Sequence, residues 1–122
     1  MNIIVTGAAG FIGMHISKKL LDHGHNVTGI DNLNTYYDQT LKQNRLNSLS
    51  GYKNFIFYEQ DIADKNTIMG IFLEANAECV INLAAQAGVR YSLIDPDAYG
   101  SSNLVGFLNI LEACRNYNVS HL

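Results

Sequence analysis

Basic clusters are missing from this chain: its eight Lys and Arg are scattered among eleven Asp and Glu, and the formal charge is -3. Without a basic field, nucleic acid is not expected as a partner. No apolar run approaches the roughly 18 residues needed to cross a bilayer. Met1 leads directly into a strand-like run rather than into a charged segment and signal core. No membrane partner is expected, and the expected location is the cytoplasm. Only two cysteines occur, Cys79 in a predicted strand and Cys114 in a predicted helix, and neither has a second thiol near it in sequence. They read as reduced packing residues rather than a disulfide framework. His15, His23, His25 and His121 show no spacing that recurs with Cys or carboxylate, so no metal site is expected. Internal repeats, linkers and low-complexity stretches are also absent. With 48% hydrophobic content, residues 1–122 suit a single core and a single domain.

What is present is concentrated near the start. Thr6-Gly7-Ala8-Ala9-Gly10-Phe11-Ile12-Gly13 follows the apolar run Asn2-Ile3-Ile4-Val5 and opens a helical pattern, giving the order strand, glycine turn, helix. Glycines at three-residue spacing let the chain turn tightly, let a pyrophosphate approach bare main chain, and let the helix pack close to the strand. The anion then meets free N–H groups at the helix start. Ile12, Ile16 and Leu20 carry the helix to about His23, and Asn26 to Asp31 is a second strand, completing a βαβ unit. A weaker helix is expected over Tyr37–Leu49, a third strand at Phe55–Tyr58, and a short helix capped by Asp64 with Ile68, Ile71 and Phe72 on one side. Cys79 to Leu83 is a fourth strand. Asp95-Pro96 starts a last helix that runs to about Tyr117, with Leu104, Leu108 and Leu111 on one side and Phe107, Ile110 and Cys114 on another. So broad an apolar surface predicts burial against the sheet and against something else. Strands alternating with helices predict an α/β fold, a partial Rossmann sheet of order 3-2-1-4 covered on both faces, with Asn118 to Leu122 as the beginning of a fifth strand.

Asp31 closes the second strand, 18 positions after Gly13. A dinucleotide fold places an acid there against the adenine ribose, where it accepts hydrogen bonds from both hydroxyls. A carboxylate also repels a 2′-phosphate. Because Asn32-Leu33-Asn34 supplies no cation to neutralise one, NAD is expected rather than NADP.

These residues resemble the extended short-chain dehydrogenase/reductase group, the NAD-dependent sugar epimerases and dehydratases. Thr6 to Gly13 matches that group's TGxxGFIG signature, and Phe11 and Ile12 belong to it. Asp31-Asn32-Leu33-Asn34-Thr35-Tyr36-Tyr37-Asp38 is similar to the corresponding segment of UDP-glucuronate 4-epimerases, as is Leu83-Ala84-Ala85-Gln86-Ala87-Gly88-Val89-Arg90-Tyr91-Ser92. The resemblance implies that Asp61 and Ile62 hold the adenine, the acid on its exocyclic amine and the aliphatic side chain against the ring. It implies that Leu83, Ala84 and Ala85 line the pyrophosphate and nicotinamide ribose, and that Asn103 orders the cofactor side of the site. Asn82 departs from the pattern, since many relatives carry His there.

In that group NAD takes a hydride from a sugar carbon while a Tyr takes the hydroxyl proton, helped by a Lys four residues later that lowers the Tyr pKa. None of the seven tyrosines here is followed at that distance by Lys. No catalytic residue is therefore assigned. The expectation is a truncated, N-terminal NAD-binding half of a sugar-nucleotide epimerase without a substrate domain, inactive alone and meeting a UDP-sugar only in a full-length form. The other readings are a stand-alone, non-catalytic nucleotide-binding module and part of a sugar-nucleotide dehydratase. An uncovered fourth strand and the long last helix both predict self-association.

Overall fold

Ile3, Ile4 and Val5 point alternately to the two faces of a strand, and that alternation divides the apolar residues of the chain into two cores. The computed structural model describes Met1–Leu122. β1 (Asn2–Thr6), β2 (Asn26–Asp31), β3 (Phe55–Glu59) and β4 (Cys79–Asn82) form one sheet in the order β3-β2-β1-β4, with every pairing parallel. This is the expected order. Ile3 and Val5 join Ala8, Val27, Leu21 and Leu49 beneath α1 (Phe11–Asp22) and α2 (Gln39–Leu49). Ile4 joins Ile30, Val80, Ile68, Phe72 and Ile110 on the other face, beneath α3 (Lys65–Ala75) and a long helical stretch. Both faces are covered, as parallel strands require.

Local signals set the helix starts. Asp38 accepts from Thr40 N–H at 2.9 Å, so α2 begins at Gln39 rather than at Tyr37. Asp64 caps α3, accepting from Thr67 N–H at 3.2 Å and from the Thr67 hydroxyl at 2.8 Å. That hydroxyl bond, reinforced by the backbone bond, holds the Asp64 carboxyl below its ordinary value. A carboxyl depressed in the folded state stabilises above its unfolded pKa and loses that contribution as pH falls through the folded one. Asp64→Ala is therefore expected to lower the thermal midpoint at neutral pH. The gap between variant and wild type should close as the solution is acidified, which a calorimetric pH series measures.

The last helix departs from expectation in its winding. Asp95 accepts from Ala98 N–H at 3.2 Å and Pro96 takes the first helical position, as predicted. The stretch then passes from α4 (Pro96–Tyr99) through a π-helical segment, Gly100–Gly106, into α5 (Phe107–Asn116). A π segment spends an extra residue per turn and re-aims the side chains on either side of it. A short 3-10 turn, Val89–Leu93, precedes this stretch and has no counterpart in the sequence pattern. Ile110 and Ala113 are buried against the sheet, while Leu104, Leu108 and Leu111 are exposed, so the second apolar side is real and has no cover within this chain.

Beyond α5 the backbone turns at Asn118, where φ is +53°. His121 then lies parallel to Cys79, with Val80 N–H donating to the His121 carbonyl at 2.8 Å and Ser120 N–H to the Glu78 carbonyl at 3.0 Å. The start of a fifth strand is thus a single bridge, and it covers part of the β4 edge expected to be open. Cys79 and Cys114 are half-buried, and burial pushes the Cys114 thiol up. No helix is long and apolar enough to cross a membrane.

Candidate functional site

The C-terminal ends of β1, β2 and β4 and the turn after β3 open into one cavity, at the point where the strand order reverses beside β1. Open α/β sheets hold ligands at such crevices. The glycine turn forms its floor. Gly7 has φ +69°, and a Cβ there would lie 2.9 Å from Ala84 N and from the Leu83 carbonyl carbon. A Cβ on Gly13 would lie 2.0 Å from the Gly7 carbonyl oxygen, so helix and turn touch backbone to backbone. Gly7 N–H donates to the Ile30 carbonyl at 2.7 Å, tying the turn to the end of β2. α1 has no side-chain cap, and the N–H groups of Phe11, Ile12 and Gly13 have no acceptor within the chain.

Asp31 is 7% exposed, and its carboxylate is already engaged. Oδ2 accepts from Ala9 N–H at 3.1 Å and Oδ1 from Leu33 N–H at 2.9 Å. An ionised carboxylate accepts about four hydrogen bonds, so capacity remains for ribose hydroxyls. The same acid braces the turn and keeps spare acceptor capacity at the cavity. Lys42, on α2 and 6% exposed, stands 3.7 Å from Asp31 Oδ1, donates to Asn34 Oδ1 at 3.0 Å, and lies 4.9 Å from the centre of the Tyr37 ring. Asn32, Leu33 and Asn34 supply no cation, but the fold brings one in from α2, a lysine that the adjoining sequence lacks.

Across the cavity, Asp61 Oδ1 accepts from Ala63 N–H at 2.8 Å, while Oδ2 meets only the Asn32 amide, at 3.4 Å. Ile62 lines the cavity but is buried in the core beneath the last helix, and its N–H has no partner within the chain. An acceptor and a donor thus stand side by side on one short turn. The opposite wall is held by Thr6, whose hydroxyl donates to Asn82 Oδ1 at 2.5 Å and accepts from Leu83 N–H at 3.0 Å and Ala84 N–H at 3.1 Å. Asn103 grips the next residues, accepting from Gln86 N–H at 2.8 Å and donating to the Gln86 carbonyl at 3.1 Å.

Of the residues singled out from sequence, Gly7, Gly10, Asp31, Asn32, Asp61, Ile62, Leu83, Ala84 and Ala85 line this cavity. Phe11, Ile12, Gly13 and Asn103 do not. The Phe11 side chain is 66% exposed, so what it can offer the cavity is its backbone N–H. Sequence reasoning missed Lys42, Gln86 and the pair Tyr36 and Tyr37, all of which line the cavity. The tyrosines stood inside the quoted Asp31–Asp38 segment and could have been found there; Lys42 carried no such signal. Tyr52, Tyr58 and Tyr99 have their phenols pushed up, the first two by hydrogen bonds to Asp22 and Glu74 and the third by burial. That is the wrong direction for a phenol that must lose its proton near neutral pH.

A parallel sheet whose glycine turn and strand-end acids converge at a crossover defines a nucleotide-binding domain of the Rossmann class. The chain belongs to the family described as GDP-mannose 4,6 dehydratase, which matches residues 4–121. It is 48% identical over 122 residues to protein CapI of Staphylococcus aureus, covering 100% of this chain and 36% of that protein. It is 47% identical over 119 residues to a UDP-glucuronate 4-epimerase of Thermodesulfobacterium geofontis, covering 98% of this chain and 37% of that one. Among solved structures, UDP-glucuronic acid 4-epimerase of Bacillus cereus in complex with UDP-glucuronic acid and NAD superposes with a TM-score of 0.85 at 36% identity, covering 94% of this chain and 36% of that one. The chain therefore spans little more than a third of the length of each of these three relatives.

Proposed function

We propose that residues 1–122 are the N-terminal, NAD-binding portion of a nucleotide-sugar epimerase of the UDP-glucuronate 4-epimerase kind. The observation that carries this reading is the convergence of the Gly7–Gly13 turn, Asp31 and Asp61 on one cavity. The N–H groups of Phe11, Ile12 and Gly13, with the bare backbone of Gly7 and Gly10, take the pyrophosphate. Asp31, steadied by Lys42, and Asn32 take the adenine ribose. Asp61 accepts from the adenine amine while Ile62 N–H donates to the neighbouring ring nitrogen, and Leu83, Ala84 and Ala85 run beside the rest of the cofactor. Asn103 holds that wall in place. Bound NAD supplies a hydride acceptor, and this chain's residues bind and orient it without an acid or base of their own.

UDP-sugar binding and turnover belong, in this reading, to a longer protein, and the chain alone does not interconvert UDP-glucuronate and UDP-galacturonate. The exposed Leu104, Leu108 and Leu111 side of the last helix is the surface we assign to self-association. A cytoplasmic setting, without nucleic-acid or membrane partners, completes the reading. The description of the matching family favours one alternative, part of a sugar-nucleotide dehydratase, which would use the same cofactor groove. Calorimetric titration tests the reading. NAD and ADP-ribose are expected to bind with similar affinity, and nicotinamide mononucleotide to give no saturable heat. Failure of both NAD and ADP-ribose to bind at millimolar concentration would overturn it.

A further inference from the structure

We propose that Asn109 is the positioning residue for adenine recognition, an inference that rests on the cofactor reading above. Asn109 sits on α5, is 5% exposed, and spends its side-chain amide on another element entirely. Nδ2 donates to the Ile62 carbonyl at 2.9 Å and to the Ala63 carbonyl at 3.1 Å. Those two hydrogens are all the amide has to give. Both acceptors lie on the turn whose Asp61 and Ile62 line the cavity, with Asp61 Oδ2 and Ile62 N–H little engaged within the chain. One turn earlier on the same stretch, Gly106 approaches Ile62 so closely that a Cβ would lie 2.5 Å from Ile62 Cγ1. The turn is thus pressed against the helix by its side chain and fastened to it by its carbonyls. Asn103, inside the π-helical segment, anchors the β4 wall, and Asn109, just beyond that segment on α5, anchors the Asp61 wall. One helical stretch therefore sets both sides of the cavity.

The chemistry at stake is a donor–acceptor pair. Adenine offers an amine hydrogen and a ring-nitrogen acceptor, which match Asp61 Oδ2 and Ile62 N–H. Hypoxanthine reverses both and would set acceptor against acceptor and donor against donor. A site built to hydrogen-bond one base rejects the other because its own groups are left unpaired. That rejection holds only while the turn is fixed. Freed from Asn109, the Ile62 and Ala63 carbonyls turn to water and the pair loses its alignment.

The test compares NAD with nicotinamide hypoxanthine dinucleotide by calorimetry. Wild type is expected to prefer NAD by about tenfold or more, the size of one well-made hydrogen bond. Asn109→Leu should cut that preference to about twofold. Ile110→Val, one residue on and without a bond to the turn, should lower the thermal midpoint yet leave the preference intact, which separates positioning from general stability. Asn109→Ser serves if the leucine variant does not fold. In 15N spectra of the unaltered chain, the Asn109 side-chain amide should shift on adding NAD; no shift counts against the proposal. Folded Asn109 variants that retain the full preference overturn it while leaving the cofactor reading standing. If wild type binds neither dinucleotide, the cofactor reading itself fails and this inference with it.

Discussion

Gly13→Ala should destabilise the protein by about 3 kcal/mol or more, at the upper end of the cost of overpacking. The reason is geometric: the added carbon would sit 2.0 Å from the Gly7 carbonyl oxygen and 2.8 Å from its carbonyl carbon, and backbone cannot swing aside as a long side chain can. Either α1 lifts from the sheet or the glycine turn opens. In the first case Leu21 leaves the core it shares with Val5 and Val27. In the second, Gly7 N–H and Ala9 N–H lose their partners on β2. Thermal unfolding should show a midpoint lower by about 10 °C or more, and NAD binding should be lost with it. An unchanged midpoint would show that helix and turn can part to admit a methyl group without loss of packing.

The second large effect is expected at Lys42. Removing one member of a buried ion pair leaves the other charge without compensation, which typically costs about 3–5 kcal/mol. Lys42→Met leaves Asp31 with its two backbone donors but no countercharge, so the lower end of that range, about 3 kcal/mol, is expected. Asp31→Asn strands the ammonium instead, with Asn34 as its remaining hydrogen-bond acceptor. The double variant should cost less than the sum of the two, by roughly 1–3 kcal/mol, because neither charge is then left alone. Urea denaturation of the four proteins measures this directly, and strictly additive losses would show that the pair is not coupled.

The contrast between Gly13 and Lys42 shows what could be read from the chain and what could not. The glycine turn, the strand ending at Asp31 and the cap at Asp64 are local: neighbours in sequence dictate the backbone, and the structure agrees at each. Strand order also followed, since right-handed crossovers leave few alternatives. Lys42 lies on α2, where apolar residues barely favour one side, and nothing in such a helix says which residue turns inward. Asn109 was hidden in a helix read for its leucines, because a polar residue among apolar ones declares a need for partners without naming them. The π winding could not be foreseen either, since the apolar pattern does not distinguish an extra residue in a turn from a broad helix face. The bridge at His121 depended on one left-handed residue, Asn118.

Asp31 carries a cost for anyone who would redesign the groove. Its carboxylate fastens the glycine turn at Ala9, starts the loop at Leu33 and keeps company with Lys42, all before any ligand arrives. Exchanging that acid to admit a phosphorylated ribose would loosen the floor on which the dinucleotide must lie. In the proposed cofactor reading, cofactor choice and architectural soundness share one side chain, so an engineer, or natural selection, would have to rebuild the floor before changing the guest.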